Sequence, residues 1–398
     1  LDAADAAQTI QSSGTGSYSL QNISFTLASP TANRTKTIAA GSTINLTGDF
    51  TATAAGGTAS NQLIVDITTI STGGTPQNLS IGSWCQLNTS HTNFSTSFID
   101  LFTVSITLNQ NSTIYYALNG IQNIADGFTY GNIGFNNGNK YAEGNLDINN
   151  RIFSNGALVY DNGFTFNVAG DWTLNQAQYT AASATGTVIL DGADQYIDNG
   201  NPNYFRNLTI SNTGTATNNN NVSILGNFVM TNGSKLNGGS YTINAAKDWT
   251  ENGSAEFTQT TGTVTFNGST IQRITQASNS YFNNVSISNS GVSGSDTVKA
   301  ETTLNIKGSL TINQDLGVFS LNGKNLYLGD NLVIWPNANN ASTFIANNNT
   351  VYLNGDGATT QIVANRDDQP VTFHNLEVSG SKAKVFGYAG TSNLFVIN

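Results

Sequence analysis

The triplet Gly144-Asn145-Leu146 returns as Gly226-Asn227-Phe228 and again as Gly308-Ser309-Leu310, each copy 82 residues after the last. A chain that repeats one unit in tandem stacks its copies, so that each covers the apolar face of the next. Such a chain builds a long scaffold before it builds a reaction pocket. The repeat therefore constrains shape far more than chemistry.

Inside the unit a second pattern aligns. It reads Thr187-Val188, Gly192, Gln195 and Phe205-Arg206-Asn207-Leu208 in the first copy. The second has Thr263-Val264, Gly268, Gln272 and Phe282-Asn283-Asn284-Val285, and the third Thr350-Val351, Gly355, Gln361 and Phe373-His374-Asn375-Leu376. Apolar positions recur while their neighbours vary, which marks buried places beside exposed ones. Gly226 to Lys247 and Gly308 to Gly329 each span a shorter beat of 21 residues, leading to the matching segments Asp171-Trp172, Asp248-Trp249 and Asp330-Asn331, and such a beat is the size of a solenoid coil. Short β-runs joined by Asn-Gly turns predict a parallel β-helix over residues 136–398, built from three 82-residue repeats. A tandem row of small β-sandwiches is the competing architecture.

Residues 1–135 lack the repeat. Tyr18 to Phe25, Ser42 to Leu46, Gln62 to Ile67, Phe102 to Leu108 and Ser112 to Leu118 alternate apolar and polar residues between Gly, Asn and Ser turns. That pattern predicts an antiparallel β-sandwich with a polar tail from Leu1 to Gly16. The Gly- and Asn-rich stretch from Gly131 to Asn139 is the expected joint.

Composition agrees with an all-β chain. Charged residues are only 10% of the 398, and their place is taken by Asn, Ser, Thr and 40 glycines, which suit turns and half-buried strands. A net charge of −10 with 14 scattered Lys and Arg argues against nucleic acid as partner. No apolar run is long enough to span a membrane. The chain opens on Leu1, which predicts a removed export signal, although a cut at a domain boundary would look the same. Cys85 stands alone, so it reads as a small buried hydrophobe on a strand.

The segments Lys247-Asp248-Trp249-Thr250 and Gly262-Thr263-Val264-Thr265-Phe266-Asn267-Gly268, followed by Gln272 and Phe282-Asn283-Asn284-Val285, resemble the repeats of secreted bacterial β-helical surface proteins of the adhesin type. The resemblance covers roughly residues 140–398. Lys247, where Gly is expected, and Asn331, where Trp is expected, depart from the pattern. It implies an exported, cell-surface protein and assigns no catalytic residue and no cofactor.

Hydrolysis of a polysaccharide would need two carboxylates facing one groove. Asp194 and Asp198, beside Arg206, are the densest candidates, whereas Asp191 aligns with Asn267 and Asn354 and reads as a turn residue. His91 and His374 are isolated and read as solvent-facing. Asp171, Asp248 and Asp330 recur one per unit, too thin for a calcium ladder and suited to capping turns. Trp172 and Trp249 recur in register and belong in the core, which leaves Trp335 as the exposed aromatic for a sugar ring. Asn22, Asn45, Asn88 and Asn252 are sequons open to N-glycosylation. Asn207 and Asn284 are also sequons but are expected to form ladders with their neighbours.

These readings favour a non-enzymatic extracellular protein, a self-assembling filament subunit or adhesin. The alternative is a carbohydrate-binding or polysaccharide-cleaving β-helix, with glycan contacts at Trp335, Asp194, Asp198 and Arg206. Assembly would run head to tail. The apolar C-terminal residues Phe386, Tyr388, Leu394, Phe395 and Ile397 would receive the N-terminal sandwich of a second copy or its tail, with Leu1, Ala3, Ala6 and Ile10.

Overall fold

The computed structural model of the chain describes residues 8–10, 17–28, 32–38, 43–58, 62–67, 71–73, 76–174, 178–180, 185–199, 204–290, 297–313, 318–335, 343–357, 359–365, 371–387 and 395–397. They fall in two compact units. The first comprises Leu1–Gly192 with Asp198–Asn203, and the second Ala193–Ile197 with Tyr204–Asn398.

In the first unit most strands pair with the strand three places further along the chain, and those around the short helix with the strand two places on, so the backbone winds through three faces in turn. One ladder runs through Arg34–Ile38, Leu63–Asp66, Cys85–Thr89, Thr113–Tyr116, Asn132–Phe135, Ile152–Ser154 and Trp172–Leu174. A second begins with Ile23–Ala28, Phe50–Ala55, Asn78–Ile81 and Ser105–Leu108, and a third carries Gln122–Ile124, Gly138–Ala142 and Ala157–Tyr160. All these pairs are parallel. A parallel pair needs a long crossover connection, and here the other two faces supply it. The short helix Phe94–Ser97 lies on the third face before Gln122–Ile124, where Asn93 bridges Asn123. Its Phe94 stacks on Phe98 at 5.4 Å, and Phe98 meets Phe50 edge-on at 5.6 Å, so aromatic bulk fills the interior at that level.

The antiparallel sandwich expected for residues 1–135 is therefore corrected to parallel coils. Alternation in Ile23–Ala28, buried at Ile23, Phe25 and Leu27, reports one buried face and carries no information on strand direction. The expected joint at residues 131–139 is also corrected. Asn132–Phe135 pairs with strands on both sides, and Gly138–Ala142 likewise. The division between compact units lies near residues 192–204.

The second unit winds in the same way. Phe228–Met230 pairs with Trp249–Glu251, Thr242–Ala245 with Thr263–Phe266, and Leu326–Leu328 with Thr350–Leu353, all parallel. Bonded partners lie 20 to 21 residues apart at Asn207–Asn227 and Asn221–Thr242, against 27 at Leu20–Thr47 in the first unit. The coil of about twenty residues is thus found. The 82-residue spacing is not kept as a structural period from the second copy to the third. Three coils beyond Phe228–Met230 the ladder reaches Val298–Ala300, and the third copy, Leu310–Ile312, comes one strand before the fourth, on a different ladder. Thr263–Phe266 and Thr350–Leu353 are displaced in the same sense, as are Trp249–Glu251 and Leu332–Ile334.

Both recurrent tryptophans are core residues, as expected, with no exposed surface at Trp172 or Trp249. The Trp249 ring meets Phe228 at 4.0 Å, Phe257 at 4.9 Å and Phe282 at 5.5 Å. Cys85 is buried on its strand, and burial pushes its thiol up to about 12. No described helix is long and apolar enough to cross a membrane.

Candidate functional site

The Asn and Asp residues at the corners of the coils bind the next coil. The N–H of Thr165 donates to Asn145 Oδ1 at 2.9 Å, that of Asn227 to Asn207 at 2.9 Å, that of Thr242 to Asn221 at 2.9 Å and that of Ser309 to Asn284 at 3.0 Å. Asp248 accepts from the N–H of Arg273 at 2.8 Å. Each bond satisfies a donor that a bend in the chain leaves without a ladder partner. Asp330 accepts instead from Lys382 Nζ at 3.0 Å and from Ser309 Oγ at 3.2 Å.

The aligned glutamines are interior brackets. Gln272 Nε2 donates to Ala245 O at 2.9 Å and Lys247 O at 3.0 Å, and its Oε1 accepts the N–H of Gly268 at 2.8 Å. Gln361 Nε2 donates to Leu328 O at 2.9 Å and Asp330 O at 2.6 Å. Gln122, outside the repeat, does the same work with Thr89 O and the N–H of Leu118.

Of the expected glycan contacts, Asp194 and Arg206 belong to the second unit and Asp198 to the first. Asp194 Oδ1 accepts the N–H of Thr215 at 2.9 Å and so acts as a corner cap. Asp191 is exposed, with its carboxyl raised by partial burial and then by Asp147. Trp335 is half-buried and its backbone N–H donates to Ile312 O at 2.9 Å. His91 and His374 are half-buried rather than fully solvent-facing, and burial lowers the pKa of His91. Of the assembly candidates, Leu1, Ala3, Ala6, Tyr388 and Leu394 lie outside the described residues. Ile10 sits on Gln8–Ile10, which pairs in parallel with Arg34–Ile38 of its own chain. Phe395 and Ile397 lie on Phe395–Ile397, paired with Val371–Phe373, and Phe386 is 40% exposed. Of the sequons, Asn22 is exposed but accepts the N–H of Asp49, and Asn252 donates from Nδ2 to Met230 O at 3.1 Å. Asn88 accepts from Gln86 at 2.7 Å, and the side chain of Asn45 is outside the described set.

One set of residues converges on the outward face of the first ladder. Tyr115 is in register with Gly134, and Gly134 with Phe153. A Cβ on Gly134 would stand 2.5 Å from Phe153 Cζ and 2.6 Å from Tyr115 Cδ2. Glycine therefore allows the two rings to close over the intervening strand, with centroids 6.1 Å apart and planes 27° from parallel. The Arg151 guanidinium lies 4.4 Å over the Phe153 ring, a cation–π contact that holds the ring in place.

Beside these rings runs a groove of about 510 Å³, lined by Trp84, Gln86, Asn111, Asn132, Arg151 and Phe153 among others. Trp84 adopts φ 58°, a left-handed conformation that costs a non-glycine residue about 1–2 kcal/mol. It is held there by its N–H on Asn111 O at 3.2 Å and by the N–H of Leu63 on its own carbonyl at 3.1 Å. Gln86 Nε2 donates to Asn88 Oδ1 at 2.7 Å and Asn132 Nδ2 to Ser112 O at 2.8 Å. These bonds orient the amides and leave Gln86 Oε1 and Asn132 Oδ1 without a donor among the described residues. Asp171 is the single carboxylate among the lining residues. Sequence reasoning passed over this face. The cue was present in Gly134, flanked by core-facing Ile133 and Phe135, but it read as a break in the strand.

Together these features define a parallel β-solenoid protein with an aromatic and amide-lined groove on one face. The chain matches no protein-family model, no curated protein and no solved structure.

Proposed function

We propose that the chain is a non-enzymatic, extracellular surface protein of the adhesin kind that binds a neutral polysaccharide along this groove. The observation that carries the reading is the Tyr115–Gly134–Phe153 platform beside Trp84 and the oriented amides. Aromatic faces take the C–H faces of sugar rings, and amides and hydroxyls meet in directed hydrogen bonds. Coils follow one another at the ~4.8 Å spacing of paired strands, close to the length of a sugar ring, so a glycan lying along the face meets each coil in step. A binding role fits better than cleavage because the groove offers one carboxylate where hydrolysis uses two.

Screening against an array of neutral oligosaccharides, followed by calorimetry, tests the reading. Trp84→Ala and Phe153→Ala each weaken binding at least tenfold, about 1.4 kcal/mol. Binding that both variants retain would reject the groove, and turnover of a bound glycan would restore the enzyme alternative.

A second reading, self-association into filaments, draws on the last described coils. Val378, in register with the fully buried Leu353, is 52% exposed, and Phe386, in register with the buried Val363, is 40% exposed. Residues on core rows are thus turned to solvent, and a second copy covers them in this reading. Sedimentation velocity over a concentration series decides it. One unchanging species, the same for Val378→Asp, would dismiss assembly.

A further inference from the structure

The ladder that begins at Ile23–Ala28 ends at Ser105–Leu108, although the coils continue. On the neighbouring face Thr113–Tyr116 is paired on both sides, by Cys85–Thr89 and Asn132–Phe135. Thr129–Tyr130, one coil beyond Ser105–Leu108, opens a separate ladder with Leu146–Ile148. A groove of about 520 Å³ runs along the break, lined by Phe102, Val104, Ile106, Leu108, Gly127 and Phe128 among others.

The backbone of this edge strand is half used. The N–H groups of Ser105 and Asn109 donate to Gln77 O and Ile81 O on the inner side. The alternation of a parallel ladder then turns the amide and carbonyl groups of Ile106 and Leu108 outward. No strand among the described residues pairs with that side. The side chains are unfinished in the same way. Ile106 and Leu108 are in register with Leu79 and Ile81, which are buried, yet both are only half-buried, and Val104 is 68% exposed. Exposed edges are normally guarded by charge, proline or a bulge. The run from Phe102 to Asn109 carries neither charge nor proline.

We propose that this edge binds an extended, uncharged peptide segment of a partner protein by strand addition. Backbone donors and acceptors at strand spacing recognise another backbone, and the uncharged fissure over Ile106, Leu108 and Phe128 accepts every second side chain. The uncharged lining selects against Asp, Glu, Lys and Arg at those positions, because a charge placed there would lose hydration without a partner. The site shares no residue with the glycan groove and does not depend on it.

Hydrogen exchange read by mass spectrometry over residues 102–109 tests the proposal, with a capped hexapeptide alternating threonine and valine as probe. In the free protein the outward amides exchange rapidly. Saturating peptide slows them at least tenfold, and a version N-methylated at alternate amides does not. Val104→Asp, at a mostly exposed side chain, removes the protection while exchange elsewhere stays as in the parent. Protection already present in the free protein, no slowing with peptide, equal slowing by the N-methylated version, or protection that grows with protein concentration alone would each overturn it, the last by making a second copy the occupant.

Discussion

Trp249 Nε1 donates a 2.7 Å hydrogen bond to Oε1 of Glu251, two residues further along the same strand and also buried. The other carboxylate oxygen accepts the N–H of Ala277 at 3.0 Å. Burial nevertheless outweighs the bonds from Ser280, Trp249 and Ala277 and raises the Glu251 carboxyl to about 7. The fold therefore holds the proton more tightly than the unfolded chain does. The resulting stabilisation is complete below the ordinary carboxyl value of 4.5 and is lost as pH rises through about 7. Its size is on the order of 3 kcal/mol. Denaturant titrations of the parent and Glu251→Gln between pH 4.5 and 7 should give a stability difference that shrinks with rising pH. A difference that stays constant would show that Glu251 does not titrate in that window.

Replacing Gly134 by valine forces apart the rings that now close over it. The expected cost is about 1–3 kcal/mol, as for overpacking in a filled site, and glycan affinity in the adjoining groove falls with it. Denaturation midpoints and calorimetry measured on one preparation check both halves. Unchanged stability would mean that Tyr115 and Phe153 separate freely.

The glutamine brackets differ in a way that ranks two substitutions. Gln272→Leu strands two carbonyls and one N–H, whereas Gln361→Leu strands two carbonyls only, because Gln361 Oε1 has no donor among the described residues. An unsatisfied buried group costs about 1–3 kcal/mol. Gln272→Leu should therefore be the more damaging by about 1 kcal/mol. The reverse order in urea titrations would refute the bracket account.

At a corner, Asn221→Ala removes the acceptor for the N–H of Thr242 and should cost about 1 kcal/mol, the usual net worth of such a bond. Asn221→Asp keeps the acceptor and should cost less. Equal losses would point to the amide nitrogen instead.

Much of the architecture was legible in the sequence, and the errors have physical causes. Recurrence marks Trp172 and Trp249 as core, and the isolation of Cys85 marks it as a buried thiol; all three are found so. Asn207 and Asn284, expected to stack in ladders, each accept a backbone N–H of the next coil. Strand direction before residue 135 was not legible, because Phe25 and Leu27 point inward whether the neighbour runs parallel or antiparallel. The groove was hidden for a related reason. Trp84, Tyr115 and Phe153 lie on separate coils, and only the register through Gly134 joins the last two. Asp194 attracted attention as one of a cluster of acids, yet its neighbour is Thr215 on the following coil.

The displacement of the repeat in the second unit has a further consequence. Because Thr350–Leu353 falls one strand short of four windings beyond Thr263–Phe266, matching residues of the two copies look out in different directions. An ornament carried by such a unit is dealt around the axis like the steps of a spiral stair. Copying the unit multiplies length without lining up a second contact beside the first. A straight row of like side chains on one flank, such as the platform through Gly134, must then be composed coil by coil.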